Sequence, residues 1–426
     1  MLRILLVSIL VGLIAPVAVT AAADEAPDWP QYRGPNRDGI SAETGLARTW
    51  PDAGPQELWR RPIGPAFSSF AAVDRHLYTT ESDAEGEYVL KLDPITGENA
   101  WRQKIAGTFE NNFGNGPRAT PTLDGDRLFV VSGSGGLHAL RSSDGEALWS
   151  VDFKETFGVE QMYFGFSTSP LVLGDRLIVD VGATEGRAMV AFDKATGKVL
   201  WQAGEGGAAY GSPILVEVAG EPQLVLANRA GVLGVSPDGK ALWSHPWAEG
   251  EGVKPSMPIF VEPDRLFVSA SYDIGALGLR LGAEGKVEKV WQNKVMRNHF
   301  NSSVQVDGMV YGFDNATLKC VDPKTGEQTW AKRGGLGKGS LVYADGLLVL
   351  LTETGTLKLV EAKPDAYSEI ASAKVLSGRC WTSPTLWDGK VFLRNREEAV
   401  AFDLKASGPG GSDPKAAPAA SEESRR

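Results

Sequence analysis

Few residues in this sequence have the types and spacing that covalent or metal chemistry needs. The four histidines, His76, His138, His245 and His299, are scattered, with no pair at metal-ligand spacing, and none lies beside a cysteine in a zinc pattern. His299, in RNHFNSS, precedes an expected inner strand and is the most interesting of them; a structural or solvent-facing role is its other reading. Gly334 to Ser340, GGLGKGS, has the glycines and lysine of a phosphate loop. Gly339 stands where a Ser or Thr should follow Lys338, however, and a strand rather than a helix comes next, so the amide cradle is missing. GFSTS around Ser167 lacks the second glycine of a nucleophile elbow. Asp124, Asp175, Asp307, Asp345 and Asp388 all recur in one kind of turn, where capping accounts for them. No catalytic, cofactor or metal residue is assigned, and no cofactor is expected.

The chemistry that remains is non-covalent recognition. Phe67, Asn112, Arg118, Tyr163, Tyr210, Phe300, Lys338 and Trp381 offer aromatic faces, an amide and cations, as a ligand or peptide site requires. They are spread over more than three hundred residues, so only a repeating architecture could gather them on one face.

The sequence contains such a repeat. A small or apolar residue, one spacer, Asp, three residues, Gly, three residues and Trp occur in full at Asp93, Gly97 and Trp101, at Asp193, Gly197 and Trp201, and at Asp322, Gly326 and Trp330. Degenerate copies keep Gly145 with Trp149 and Gly239 with Trp243, one copy carries two extra residues between Gly285 and Trp291, and the weakest, near Glu361, has lost both Gly and Trp. The Asp can accept hydrogen bonds from amides two residues on, the Gly can take the left-handed conformation, and the Trp opens an outer strand with a wide apolar face. A second phrase, two apolar runs around a turn, precedes each copy; ATPTLDGDRLFVV from Ala119 is a clear example, and eight can be counted.

A four-stranded sheet of about 42 residues cannot bury both faces alone, so neighbours must stack around an axis. The expected fold is all-β, an eight-bladed β-propeller with four-stranded antiparallel blades. The last phrase ends at Asp403 with no Trp strand after it, while Trp59 near the start has no inner strands before it. The early strand at Leu58 to Ile63 should therefore complete the last blade, and Trp59, Trp101, Trp149, Trp201, Trp243, Trp291 and Trp330 should dock each blade on its neighbour. In a propeller each link from an outer strand to the next inner strand crosses one face. The residues leading into the inner strands, Phe67, Arg118, Ser167, Tyr210, Pro255, Phe300, Lys338 and Trp381, should stand near the central channel; plugging the channel mouth is the alternative to binding.

These elements divide the chain into a signal peptide at 1–23, an N-terminal strap at 24–56, the propeller at 57–405 and a disordered tail at 406–426 rich in Gly, Pro, Ala and Ser. The strap sequence WPQYRGPNRDGI is read as packed along the ring, with Arg33 or Arg37 held by a carboxylate or carbonyl. Arg3, an apolar run and Ala21 to Ala23 mark a secretory leader cut after Ala23; retention as an anchor is the alternative, against which Pro16 and the small-residue end argue. No cysteine lies near the cleavage site for lipid attachment, and no later segment is apolar enough to span a bilayer. The 43 basic and 53 acidic residues, a net charge of -10 and the lack of a basic block argue against nucleic acid as a partner class. Cys320 and Cys380 fall two repeats apart and should be unpaired buried thiols.

The Ala-x-Asp-x-x-x-Gly-x-x-x-Trp unit, complete at Ala191 to Trp201, resembles the tryptophan-docking motif of propellers related to pyrroloquinoline quinone (PQQ) enzymes. DWPQYRGPNRDGIS, Asp28 to Ser41, looks like the N-terminal signature of secreted PQQ-like propellers similar to the BamB family. That resemblance implies a non-catalytic scaffold of the periplasm or cell envelope binding a protein partner or envelope ligand; the family's assembly factor is lipid-anchored, whereas this sequence has no lipidation cysteine, so an exported monomer that is not a lipoprotein is expected. The quinoprotein alcohol dehydrogenases are also similar in blade motif, and imply PQQ and Ca2+ in the channel with Trp381 or Phe300 stacked on the quinone. Those enzymes use an adjacent Cys-Cys pair, a calcium site of Glu and Asn and an Asp base; here the cysteines are sixty residues apart. A carbohydrate-binding propeller is the third reading.

Overall fold

The computed structural model describes residues 27–248 and 253–406. The leader expected at 1–23 and the tail expected from 406, apart from Ala406 itself, lie outside the described residues.

The described chain forms eight four-stranded antiparallel sheets. Blade 1 comprises Ala71–Val73, His76–Ser82, Glu87–Leu92 and Asn99–Ala106. Blades 2 to 7 follow at 122–152, 171–203, 214–246, 259–293, 304–332 and 340–374. In blade 8, Thr385–Trp387, Lys390–Arg394 and Glu398–Asp403 are completed by Gln56–Pro62 as the outermost strand, with Gln56 opposite Asp403 and Pro62 opposite Glu398. The N-terminal strand therefore closes the ring, as the unpaired Trp59 and strandless Asp403 imply.

Burial follows position in the blade. Middle strands face a neighbouring blade on both sides and read as continuous apolar runs, such as Leu347–Leu351, buried throughout. Outermost strands such as Asn99–Ala106 are largely exposed or half-exposed, with the tryptophan turned toward the next blade.

The repeated motif works as its residue types dictate. Asp93 Oδ1 accepts from the amides of Ile95 and Thr96 at 2.7 and 2.8 Å, and Asp193 Oδ1 does the same for Ala195 and Thr196. Gly97 then takes φ 73°, and a Cβ there would fall 2.7 Å from the Trp59 ring. The absent side chain is what lets the indole of the preceding blade lie on the turn. Six of the seven docking indoles donate their N–H to a turn carbonyl of the next blade: Trp59 to Pro94 at 2.9 Å, Trp101 to Ser142, Trp149 to Lys194, Trp201 to Pro237, Trp291 to Pro323 and Trp330 to Lys363.

Trp243 differs, donating to Gln223 Oε1 of its own blade at 2.7 Å. The next blade's turn, which carries two extra residues between Gly285 and Trp291, opens with a 3-10 turn at Ala283–Gly285 and sets Gly285 against the Leu242 carbonyl instead of under the indole. In blade 7, where the Gly is lost, Tyr367 meets Trp330 edge-on at 5.9 Å.

The link after blade 2 contains an unanticipated helix, Phe153–Phe157, capped by the Asp152 carboxylate and ended by Gly158 in the left-handed region. It buries Phe153 and Phe157 between blades 2 and 3.

The N-terminal segment packs against blades around the ring. It crosses the end of the channel. Trp29 pairs with Ala72 of blade 1 and Pro30 accepts from Leu123 of blade 2. Arg37 donates to the Ser169 and Pro170 carbonyls leading into blade 3. Arg33 reaches Ser302 and Ser303 at blade 6, Ile40 bridges to Tyr343 of blade 7, and Leu46 pairs with Lys405 after blade 8. Innermost strands are sheet edges with carbonyls that no further strand satisfies. Two fully buried guanidiniums supply the donors at that end, with burial lowering both below the usual arginine range. Both are held by carbonyls, the second of the partner types expected.

Cys320, in blade 6, and Cys380, leading into blade 8, are free and buried. Burial raises both thiols, Cys380 to about 11.

Candidate functional site

At the opposite end the channel opens into a cup of about 420 Å³ whose floor includes Tyr32 from the crossing segment. All eight residues that lead into the inner strands line it: Phe67, Arg118, Ser167, Tyr210, Pro255, Phe300, Lys338 and Trp381. The eightfold register accounts for this, since corresponding residues of every blade stand at the same height around the axis.

The aromatic side chains form two arcs. In one, Phe300 and Trp381 lie 4.7 Å apart at 38°, with Phe67 6.2 Å beyond Trp381 and His299 5.3 Å beyond Phe300. In the other, Phe164 meets Phe113 at 5.4 Å and Tyr210 at 5.5 Å. Glu353, in a turn of blade 7, holds the first arc from behind. Its carboxylate accepts from Trp381 Nε1 at 2.9 Å and from the Lys338 amide at 3.0 Å. Arg379 stacks on Trp381 at 4.5 Å.

Arg118 is spent on structure. Its guanidinium donates to the carbonyls of Phe164, Gly114 and Gly116 and lies 5.0 Å from the Phe67 ring, and burial lowers it to about 10. The Lys338 ammonium has no hydrogen bond or ion pair among the described residues. His299 is lowered to about 4, first by burial and then by Lys338, so its imidazole is neutral at pH 7.

Asn112 and Tyr163 do not line the cup; their neighbours Asn111 and Phe164 do. These loops have no period to say which of two adjacent residues turns inward. Tyr163 is 63% exposed beside the mouth, and its ring meets Phe164 at 4.8 Å. Tyr32 and Tyr272 also line the cup without any sequence signal, because one comes from the crossing segment and the other from a blade 5 turn.

Among the described residues the lining contains two cations and no carboxylate. Among the described residues no group of three or more His, Cys, Asp or Glu could hold a metal ion. Ca2+ takes six to eight oxygen ligands with carboxylates prominent among them, so these residues do not fit the calcium of a PQQ site.

Behind Tyr210, Asp180 is fully buried in a crevice shared with Thr168 and Phe166. Its Oδ1 accepts from the Gly182 amide at 3.0 Å, while Oδ2 and Thr168 Oγ1 have no partner among the described residues. Burial raises the carboxyl from 3.8 to about 7. Between those values the folded chain keeps a proton that the unfolded chain releases, so this group makes stability fall as pH rises, by up to about 1.4 kcal/mol per pH unit. Asp180→Asn is expected to remove that slope. Urea denaturation at pH 5 and pH 8 checks it, and identical pH dependence in both proteins would refute the assignment.

An eight-bladed ring with indole-docked blades, closed at one end and opening at the other into an aromatic cup, defines a propeller of the PQQ-like type. Comparison with known sequences then places it more closely. Residues 85–332 match the family described as outer membrane protein assembly factor BamB, and the chain belongs to that family. The BamB of Shewanella oneidensis is 24% identical over 339 residues, covering 73% of this chain and 78% of the relative. Among solved structures, BamB from Moraxella catarrhalis aligns at a TM-score of 0.59 and 14% identity over 82% of this chain and 99% of that one. A europium-containing methanol dehydrogenase aligns at 0.65 and 14% identity over 87% and 90%. At such identities the structural likenesses carry the fold alone.

Proposed function

We propose that this chain is an exported, non-catalytic interaction scaffold of the periplasm or cell envelope that captures a protein or other ligand on its aromatic face. The convergence of all eight inner-strand lead-in residues on one cup carries the reading. Membership of a family described as an outer membrane assembly factor supports the envelope setting, as does the leader expected from the sequence at 1–23. With no carboxylate among its described residues, the lining favours capture over PQQ and Ca2+ chemistry.

The test compares the mature protein with a Trp381→Ala, Phe300→Ala double variant in cross-linking to envelope extracts. The variant is expected to lose at least tenfold in cross-linked product at unchanged circular dichroism, because both rings are wall rather than core. Equal product would overturn the assignment. In a parallel arm, PQQ and Ca2+ are expected to give neither quinone absorbance in the purified protein nor dye reduction with alcohols or sugars; either signal would move the reading to a dehydrogenase.

A further inference from the structure

We propose that the cup binds an acidic saccharide, a hexuronate unit of a longer glycan, with its ring against the Phe300 and Trp381 wall and its carboxylate on the Lys338 ammonium. This names the ligand class of the face read above as a binding surface, and rests on that reading.

The wall sets the shape of the ligand. Phe300 and Trp381 touch each other at 4.7 Å and 38°, so they form one bent surface with no slot between two parallel rings. Such a surface suits a puckered ring that presents C–H groups to the electron-rich aromatic faces.

Hydroxyl groups set its polarity. Ser69 Oγ, Ser383 Oγ and the phenols of Tyr32 and Tyr272 belong to the lining and have no hydrogen-bond partner among the described residues. Ser169 and Ser212 each accept from a backbone amide and have their own O–H to donate. The neutral imidazole of His299 joins them. A purely apolar side chain entering the cup would strip water from these groups and leave them unpaired. A polyol offers both donors and acceptors to groups that are themselves both.

Charge sets the last feature. Among the described residues Arg118 and Lys338 are the charged groups of the lining, in a protein whose formal charge is -10. Arg118 already donates to carbonyls, so Lys338 is the cation free to meet an anion. The cup holds a monosaccharide unit with room to spare, and Phe113, Tyr163 and Tyr272, 44%, 63% and 53% exposed, continue the aromatic surface past the mouth. That continuation is where further sugar units would lie.

Isothermal titration of the purified protein with uronate trimers of gluco, galacto and manno configuration tests this, against neutral maltotriose and a phenylalanine-terminated acidic peptide. At least one uronate is expected to bind at least tenfold more tightly than maltotriose, and less tightly as salt is added. Lys338→Gln, which removes an ammonium without a partner among the described residues, is expected to weaken uronate binding about tenfold at an unchanged melting temperature. Trp381→Ala is expected to weaken it too. No binding by any uronate, equal binding of maltotriose, indifference to Lys338→Gln, or tighter binding of the peptide would each overturn the proposal. Envelope cross-linking is read separately, so a failed titration beside intact Trp381-dependent capture sinks the saccharide alone.

Discussion

Trp59→Ala is expected to destabilise the ring by about 3–5 kcal/mol, the range for emptying a buried aromatic site. Trp59 is 8% exposed, donates to the Pro94 carbonyl of blade 1, covers Gly97 and lies 6.2 Å from Phe392 of blade 8. Six other tryptophans occupy the corresponding place, but each belongs to a strand continuous in sequence with its own blade. Trp59 alone sits on a strand recruited from the far end of the chain. Removing it loosens both the outermost strand of blade 8 and the seam between blades 8 and 1. Urea denaturation of Trp59→Ala beside Trp149→Ala separates the two contributions, with the larger loss expected at Trp59. A Trp59 variant within about 1 kcal/mol of the parent would show that the seam is held by something else.

The second large effect is expected at Arg33. Its guanidinium donates to the carbonyls of Arg37, Asp38, Ser302 and Ser303, two within the crossing segment and two at blade 6. Arg33→Met keeps much of the volume but leaves buried acceptors unpaired, each at about 1–3 kcal/mol, so a total loss of about 3 kcal/mol or more is expected. The relief of an arginine buried against desolvation opposes this, but the charge is already compensated by four carbonyls and the acceptors gain nothing in return. Arg33→Lys should not rescue, since an ammonium cannot reach acceptors on both sides as a planar fork does. Limited proteolysis gives a second readout, cleavage between Trp29 and Leu46 being expected well before the blades are attacked. Unchanged stability and protection in Arg33→Met would mean that the strand pairings of Trp29, Ile40 and Leu46 hold the segment unaided.

What could be read from sequence was whatever the chain repeats. Asp93, Gly97 and Trp101 announce a turn and a docking strand because the same chemistry recurs at fixed spacing, and eight apolar phrases gave eight sheets. Lead-in residues were legible for the same reason: once the blades are in register, Phe300 and Trp381 must share a height. Legibility stops where the repeat does. Asn112 and Asn111, or Tyr163 and Phe164, differ in facing only through loop geometry that no period records. The path of Trp29 to Leu46 was hidden because most of its partners are backbone amides and carbonyls, which nearly every residue possesses. Trp243 could not be told from its neighbours either, since its changed partner follows from a bulged turn some forty residues later in the sequence.

The pairing of Gln56–Pro62 with Glu398–Asp403 also imposes an order of events. A chain emerging from its N-terminus delivers the closing strand first and the strand it needs last, some 340 residues later. Blades 1 to 7 can stack as they emerge, but one flank of blade 1 stays uncovered until blade 8 arrives. The half-made protein is thus an arc with an apolar wound at each tip, and completion comes in a single late step that shields both together.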